Sequence, residues 1–170
     1  MGNRAAVVFE SDGNFSPVVY LHWNGGPESV WAFLAELDRR GIREDADYEA
    51  ARFIHVVGDF FDNEKTTGLS LGVLNLPKGF PKPGALKILD PGDNGIYIIN
   101  RKDRKITRFR YGNTHTAEEV AEEFKAAMAH DYNKSDGIPA TFLKARPKVE
   151  TENYKEAARK PWPWEARDAQ

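Results

Sequence analysis

A β-hairpin followed directly by two amphipathic helices is the feature that most limits the fold of this chain. Residues 4–10 form an apolar, β-prone run, residues 11–14 supply turn chemistry, and residues 17–23 form a second such run. Apolar residues at helical spacing then predict a helix over residues 27–40, with the buried stripe Val30, Phe33, Leu34 and Leu37. The same spacing predicts a second helix over residues 45–61, with the buried stripe Tyr48, Ala51, Ile54, Val57 and Phe61. Because an antiparallel hairpin precedes the helices, this order argues against a parallel doubly wound sheet.

The sequence beyond the two helices predicts an α+β domain. Three further strands are predicted at residues 67–76, 96–100 and 105–111. Three prolines within residues 77–84 predict an irregular surface loop, and Thr116 with Glu119 forms a capping box for a third helix. We therefore predict one α+β domain over residues 1–132, with a small, mostly antiparallel sheet and helices packed on one face.

Residues 133–170 differ from the rest of the sequence and are predicted to be a C-terminal extension or arm. They hold four of the ten prolines and few aliphatic residues. Trp162 and Trp164 alternate with prolines, which favours an extended conformation. These two aromatic side chains either bind a groove on a partner or fold back onto the core of this chain.

The composition excludes several classes of protein. No cysteine is present, which excludes disulfide scaffolds, thiolate zinc sites and cysteine nucleophiles. The 24 Lys and Arg residues nearly balance the 26 Asp and Glu residues, which argues against a strong non-specific nucleic-acid binder. No apolar run has the length of a membrane span and no signal peptide is recognisable, so we expect a cytoplasmic protein without membrane contact.

The loop between the first hairpin and the first helix is the strongest candidate for a ligand site. It consists of His22, Trp23, Asn24, Gly25 and Gly26. Amide groups at a helix N-terminus attract anions, so the loop predicts a site for a phosphate, a carboxylate or a nucleotide. The alternative is that Asn24 only caps the helix and the two glycines only make a tight connection.

Asp93 and Asn94 belong to a second turn-rich segment, which opens onto the strand at residues 96–100. Asp-Asn-Gly is ordinary turn chemistry, and one interpretation assigns it no other role. The other interpretation is that both side chains face the same pocket as the His22 loop.

The predicted second hairpin is strongly basic. It contains six basic residues against one acidic residue, Asp103, and the six are Arg101, Lys102, Arg104, Lys105, Arg108 and Arg110. Such a hairpin could contact a nucleic-acid backbone or an acidic protein surface. Alternatively, the charges protect an edge strand from aggregation.

No set of residues has the spacing of a known catalytic or metal site. His55 and Asp59 lie four residues apart on a predicted helix, which suits an ion pair or hydrogen bond better than a metal site without further ligands. His22, Ser29 and Asp59 could be combined into a nucleophile triad, but no nucleophile elbow accompanies them. We expect no metal, no cofactor and binding rather than catalysis, although residues distant in sequence could still build a catalytic site.

Three strings of residues resemble a family of small proteins encoded by phages, prophages and plasmids. They are Gly2-Asn3-Arg4-Ala5, Tyr20-Leu21-His22-Trp23-Asn24-Gly25-Gly26 and Gly92-Asp93-Asn94-Gly95-Ile96-Tyr97. The resemblance covers residues 3–111 and implies a mobile-element setting, in which small accessory proteins often act against host defence. The chain departs from the compact members in its proline-rich segment at 77–84 and in its C-terminal extension.

These observations together predict a non-catalytic accessory protein of a phage or mobile element that binds and inhibits a host protein. A counter-defence protein of the anti-CRISPR type is one such inhibitor. The alternative is a small-molecule or nucleotide-binding protein, a signal sponge or a hydrolase, that uses the His22 loop. A structural role in the virion is a third interpretation.

Overall fold

The computed structural model describes residues 3–41, 43–60, 69–71, 76–103, 105–116, 118–120 and 122. Within these residues a mixed sheet packs against helices, which confirms the predicted α+β class. The predicted extension at 133–170, with Trp162 and Trp164, lies outside the described residues, as does Arg104.

Seven strands and three helices are described. The strands are β1 (Ala5–Ser11), β2 (Asn14–Phe15), β3 (Val19–Leu21), β4 (Leu69–Leu71), β5 (Ile96–Asn100), β6 (Lys105–Arg110) and β7 (Asn113–His115). The helices are α1 (Pro27–Arg39), α2 (Ala46–Phe60) and α3 (Pro83–Leu89). The sheet order is β4-β3-β1-β5-β6-β7, and β2 pairs with β1 beside this path. Of the described pairs β1 and β5 run parallel and the others antiparallel, so the sheet is mostly antiparallel as predicted.

Helices α1 and α2 cover one face of the sheet. The predicted buried stripe of α1 is confirmed, because Val30, Phe33, Leu34 and Leu37 are all buried in the core cluster. From α2, Phe53 packs edge-on between two other rings, with centroid distances of 5.5 Å to Phe9 of β1 and 5.9 Å to Phe33. Each buried ring removes a large apolar area from water, so this contact anchors both helices to the sheet.

The predicted buried stripe of α2 is correct only in part. Val57 is buried and Ile54 packs against the core as predicted, but Tyr48 and Ala51 are exposed. Phe53 and Val56 are buried instead, and the predicted Phe61 lies outside the described residues. The buried face of α2 also includes Glu49, which forms an ion pair with Arg101 at 3.0 Å. A search for apolar periodicity counts only apolar residues, so it does not recognise Glu49 as part of the buried face. The predicted face of α2 is therefore rotated away from Glu49.

Helix α3 covers the opposite face of the sheet, where no helix was predicted. Its Leu86 is buried in a second cluster with Ala6, Val8, Ile96 and Phe109. The helices therefore do not all pack on one face. Prolines led us to predict irregular structure at residues 77–84, but Pro83 occupies the first turn of α3, where its missing N–H costs nothing.

The second predicted hairpin and the predicted capping box are both confirmed. Strands β5 and β6 pair antiparallel, with Tyr97 opposite Arg108. The main-chain N–H of Thr116 donates to Glu119 Oε2 at 2.7 Å, and the main-chain N–H of Glu119 donates to Thr116 Oγ1 at 3.3 Å. These features depend on residues close in sequence, which is why local patterns found them.

Candidate functional site

The two candidate loops meet at the beginning of β1. The Gly25 N–H donates to the carbonyl oxygen of Asn3 at 2.7 Å, and the Asn94 N–H donates to the carbonyl oxygen of Arg4 at 3.0 Å. The Asn94 side-chain amide also donates to Asn3 Oδ1. The structure therefore brings the His22 loop and the Asp93 loop together at Asn3 and Arg4. Each loop is hydrogen-bonded directly to this segment.

The backbone of Gly25 is used for packing within the protein. A Cβ at this position would lie 2.6 Å from both the N and the Cβ of Ala5, so only glycine allows the loop to lie this close to β1. Its N–H is bonded to Asn3, and its carbonyl oxygen accepts from the Tyr97 hydroxyl at 3.2 Å. These contacts support the interpretation of a tight connection and remove two polar groups from the predicted anion site.

The first turn of α1 offers little more to an anion. Gly26 is buried, and its carbonyl oxygen accepts from the N–H groups of both Ser29 and Val30 at 3.0 Å. The Ser29 hydroxyl is buried without a hydrogen-bond partner among the described residues, and Ser29 has no exposed surface. His22 and Trp23 are exposed, so these two side chains are what the loop presents to solvent most openly.

Arg108 lies in the interior and is part of the same network. Its side chain is 1% exposed, its Nε donates to the Asn94 carbonyl oxygen at 2.8 Å, and its Nη2 donates to Asn94 Oδ1 at 3.1 Å. Its guanidinium carbon lies 4.9 Å from the centroid of the Tyr97 ring. Asn94 thus connects β6 to the start of β1, and it is buried itself.

The basic hairpin is therefore not one exposed basic surface. Arg101 is buried in its ion pair with Glu49, and Lys102 pairs with Asp12 at 2.5 Å. The Arg110 Nε donates to the Asp93 carbonyl oxygen at 2.6 Å. The prediction that Arg101 and Arg108 contact a partner is corrected by their burial, since both are occupied inside the fold. Lys102, Lys105 and Arg110 remain at least partly exposed.

A cluster of three rings lies beside these loops, and we call it the aromatic corner: the half-buried Tyr20 and the exposed His22 and Trp23. The Tyr20 hydroxyl lies 3.1 Å from His22 Nδ1, and the His22 and Trp23 rings meet edge-on at a centroid distance of 4.7 Å. Trp23 is 44% exposed, which is unusual for so large an apolar side chain. The aromatic corner therefore presents apolar area that is already ordered.

The aromatic corner lies on the α3 side of the sheet. Tyr20 pairs with Ala6 in the register of β1 and β3, and Ala6 belongs to the cluster that α3 covers. Side chains of paired residues point to the same face of a sheet. We had not assigned Tyr20 to the site, although its spacing of two residues from His22 in a predicted strand was a usable signal.

Arg4 and Asp93 form the charged neighbour of the aromatic corner. Arg4 Nε lies 2.9 Å from Asp93 Oδ2, and the Arg4 main-chain N–H donates to the same oxygen at 3.1 Å. These hydrogen bonds from Arg4 lower the pKa of Asp93, and the Asp93 carboxylate raises the pKa of Arg4. Both side chains are partly exposed, so the pair fixes the loop while it remains in contact with water.

The Arg4–Asp93 pair predicts an acid sensitivity that depends on Asp93. Because the folded pKa of Asp93 is lowered, its contribution to stability is present above the ordinary Asp pKa of about 3.9 and is lost as the pH falls through the folded value. We expect Asp93→Asn to weaken the decline in the free energy of unfolding below about pH 4, measured by urea unfolding at several pH values. The same decline in the variant and the wild type would contradict this role.

The described residues contain no group of three or more His, Asp or Glu side chains arranged to hold a metal ion. His55 and Asp59 lie on α2 with Nε2 and Oδ1 3.5 Å apart. Asp59 also accepts from Arg40 Nη2 at 2.7 Å, and Arg40 Nε contacts Glu36 Oε1 at 2.8 Å. These contacts tie α1 to α2, which is a structural role for Asp59.

No family model, no curated protein and no solved structure matches the chain. The resemblance to small mobile-element proteins therefore stays a prediction from the three strings of residues. The described part of the chain holds no helix with the length and apolar content that crossing a bilayer requires.

Proposed function

We propose that this chain is a non-catalytic protein of a phage or related mobile element that binds and inhibits a host protein. The aromatic corner would be its contact surface. The observation that carries the proposal is the exposure of Trp23, which is 44% accessible and is held edge-on against His22. Rigid aromatic side chains bury much area on binding and lose few torsional states, so they are frequent anchors of protein interfaces.

The surroundings of the aromatic corner support binding rather than catalysis. Asn94 and Arg108 bond to each other in the interior, and Asp93 is engaged by Arg4. Side chains held in this way position the loops and are not available to move protons on a substrate. An inhibitor that occupies a surface of its target needs no further chemistry. A counter-defence role of the anti-CRISPR type is the form of inhibition that the resemblance implies.

A protein partner suits this surface better than a nucleotide. A nucleotide site at this loop would rely on amide groups for its phosphates, but Gly25 uses its N–H and carbonyl oxygen within the fold. What the loop offers is an aromatic surface next to a salt-bridged pair. Apolar rings beside satisfied polar groups are typical of a protein interface with an apolar centre and a polar rim.

Photo-crosslinking from position 23 tests this proposal. A benzoylphenylalanine replaces Trp23 in one sample and Tyr48 in a control, since Tyr48 is also an exposed aromatic residue, at 51%, but lies on α2. We expect irradiation in the natural host to give an adduct of one discrete mass from position 23 and none from position 48. Excess wild-type protein should suppress the adduct, and excess Trp23→Ala should suppress it at least about tenfold less effectively.

Two results would contradict the proposal. One is the absence of any protein adduct from position 23. The other is the same set of adducts from both positions, which would mean that crosslinking from position 23 is non-specific. Trp23→Ala itself should lower the free energy of unfolding by no more than about 2 kcal/mol, because 44% of the residue is already exposed.

A further inference from the structure

The segment around α3 forms an exposed basic projection, which we call the lysine knob: residues 77–89, with Lys78, Lys82, Lys87 and Ile88 at its surface. All four of these side chains are exposed, and Ile88 is 74% accessible. No acidic residue occurs between positions 76 and 89. The three prolines of residues 77–84 predicted only a surface loop there.

The lysine knob is anchored firmly to the sheet. Phe80 packs edge-on against Phe15 at a centroid distance of 4.9 Å, and Leu86 is buried in the second core cluster. Two consecutive turns precede the helix, with the Phe80 N–H bonded to Pro77 O at 3.0 Å and the Lys82 N–H bonded to Gly79 O at 2.8 Å. Prolines further restrict the backbone, so the exposed side chains project from a fixed base.

The charges of the lysine knob are not neutralised within the described residues. Lys78, Lys82 and Lys87 make no ion pair there, whereas Lys102 of the basic hairpin pairs with Asp12. The lysine knob, with three exposed lysines, is therefore a second basic surface in addition to the hairpin, whose Lys105 and Arg110 are also at least partly exposed. On the outer side of α3, Lys87 and Ile88 are adjacent, so charge and apolar area lie together.

We propose that the lysine knob is a docking surface for an acidic protein segment that also carries an apolar side chain. Carboxylates of the partner would face Lys82 and Lys87, and its apolar side chain would cover Ile88. Charge complementarity speeds association and sets the orientation, while burial of Ile88 adds affinity that does not depend on salt. The proposal goes beyond the proposed function, because it holds whether or not the aromatic corner binds a host protein.

A nucleic-acid backbone fits this surface less well. Phosphate contacts are made by basic and polar groups and gain nothing from an isoleucine, and recognition of phosphate favours arginine, of which the lysine knob has none. Three lysines would also support only weak, salt-sensitive binding. The exposed Ile88 therefore favours protein over nucleic acid.

Selection from a displayed library of random short peptides tests the proposal with the full chain as bait. The double variant Lys82→Glu/Lys87→Glu serves for counter-selection, and both positions are exposed, so the variant should fold like the wild type, as checked by circular dichroism. We expect the enriched peptides to combine several acidic residues with a large apolar residue. Their binding should weaken about tenfold or more in the double variant and about threefold in Ile88→Ser.

Two further variants separate this proposal from the others. Lys105→Glu changes an exposed lysine on β6 and should leave the affinity for the selected peptides unchanged. Trp23→Ala should also leave it unchanged, so a failure at the aromatic corner cannot be mistaken for a failure here.

The proposal is wrong if no peptide is enriched over counter-selection, or if the enriched peptides are not acidic. It is also wrong if Ile88→Ser has no effect on binding. Finally, a single-stranded DNA oligonucleotide that binds the lysine knob more tightly than the best peptide would assign the surface to nucleic acid instead.

Discussion

Arg108→Ala is expected to lower the free energy of unfolding by about 3 to 4 kcal/mol. The substitution leaves the carbonyl oxygen and Oδ1 of buried Asn94 without the Arg108 donors and removes the guanidinium from the Tyr97 ring. It also leaves a cavity, because Arg108 is the largest of the fully buried side chains that the structure describes. Urea unfolding followed by far-UV circular dichroism measures the change.

Arg110→Ala is the matched control for this prediction. Arg110 lies two residues further along β6, is partly exposed and donates through its Nε to the Asp93 carbonyl oxygen. Loss of this bond should cost about 1 kcal/mol. If the two variants were equally stable, or if Arg108→Ala cost less than Arg110→Ala, Arg108 could not be the buried centre of the loop network. Arg108→Met keeps most of the volume, and we expect it to fall between the two.

Gly95→Ala is expected to lower the free energy of unfolding by about 4 kcal/mol, or to prevent folding altogether. Gly95 has a φ of +73°, and a Cβ there would lie 2.0 Å from the carbonyl oxygen of Phe109. An alanine would therefore force β5 away from β6 at the point where Ile96 pairs with Phe109. The loop that carries Asp93 and Asn94 would also be displaced, because Gly95 joins this loop to β5.

Gly112→Ala separates the cost of the positive φ from the cost of the steric clash with β6. Gly112 has a φ of +83°, but nothing lies within 4 Å of a Cβ built there. Its replacement should cost only the backbone strain, about 1 kcal/mol. Thermal and urea unfolding of both variants give the comparison. Equal losses at the two positions would mean that the close approach of Gly95 to β6 contributes nothing to stability.

The strands and the capping box could be predicted because their signals are local. The alternation along residues 96–100 and 105–110 defined the second hairpin, and Thr116 with Glu119 defined the start of the next helix. Alternation along β6 puts Arg108 and Arg110 on the same face of the strand. It could not predict that Asn94 buries Arg108 on this face, because the position of Asn94 depends on the pairing of β5 with β1, which lies about ninety residues earlier.

The parts of the candidate site were predicted, and the proximity of its two loops was one of two interpretations of the Asp93 segment. His22, Trp23, Asp93 and Asn94 were all selected from the sequence, and the structure brings their loops together at Asn3 and Arg4. The role of Gly25 could not be predicted, since its need for glycine comes from Ala5, which is twenty positions away in sequence. A glycine pair at a helix start looks the same whether it makes room for a ligand or for a strand.

The buried ion pair between Glu49 and Arg101 is another contact between residues distant in sequence that local patterns could not predict. Both residues are charged, and the sequence assigned Arg101 to a surface for partners and gave no role to Glu49. In the fold they bury each other, with Glu49 only 1% exposed. Buried charges are tolerated here because each side chain is paired with an opposite charge. The two residues lie more than fifty positions apart, so local sequence patterns could not pair them.

The aromatic corner is proposed to be the surface that binds a protein partner. Native mass spectrometry of the chain purified gently from its natural host tests this most directly, with the Trp23→Ala variant measured beside the wild type. We expect the wild type to carry a second protein in a discrete stoichiometric complex, and we expect the variant to be recovered without it. A small-molecule mass that disappears in the variant, or a protein complex equally abundant in both samples, would contradict the claim.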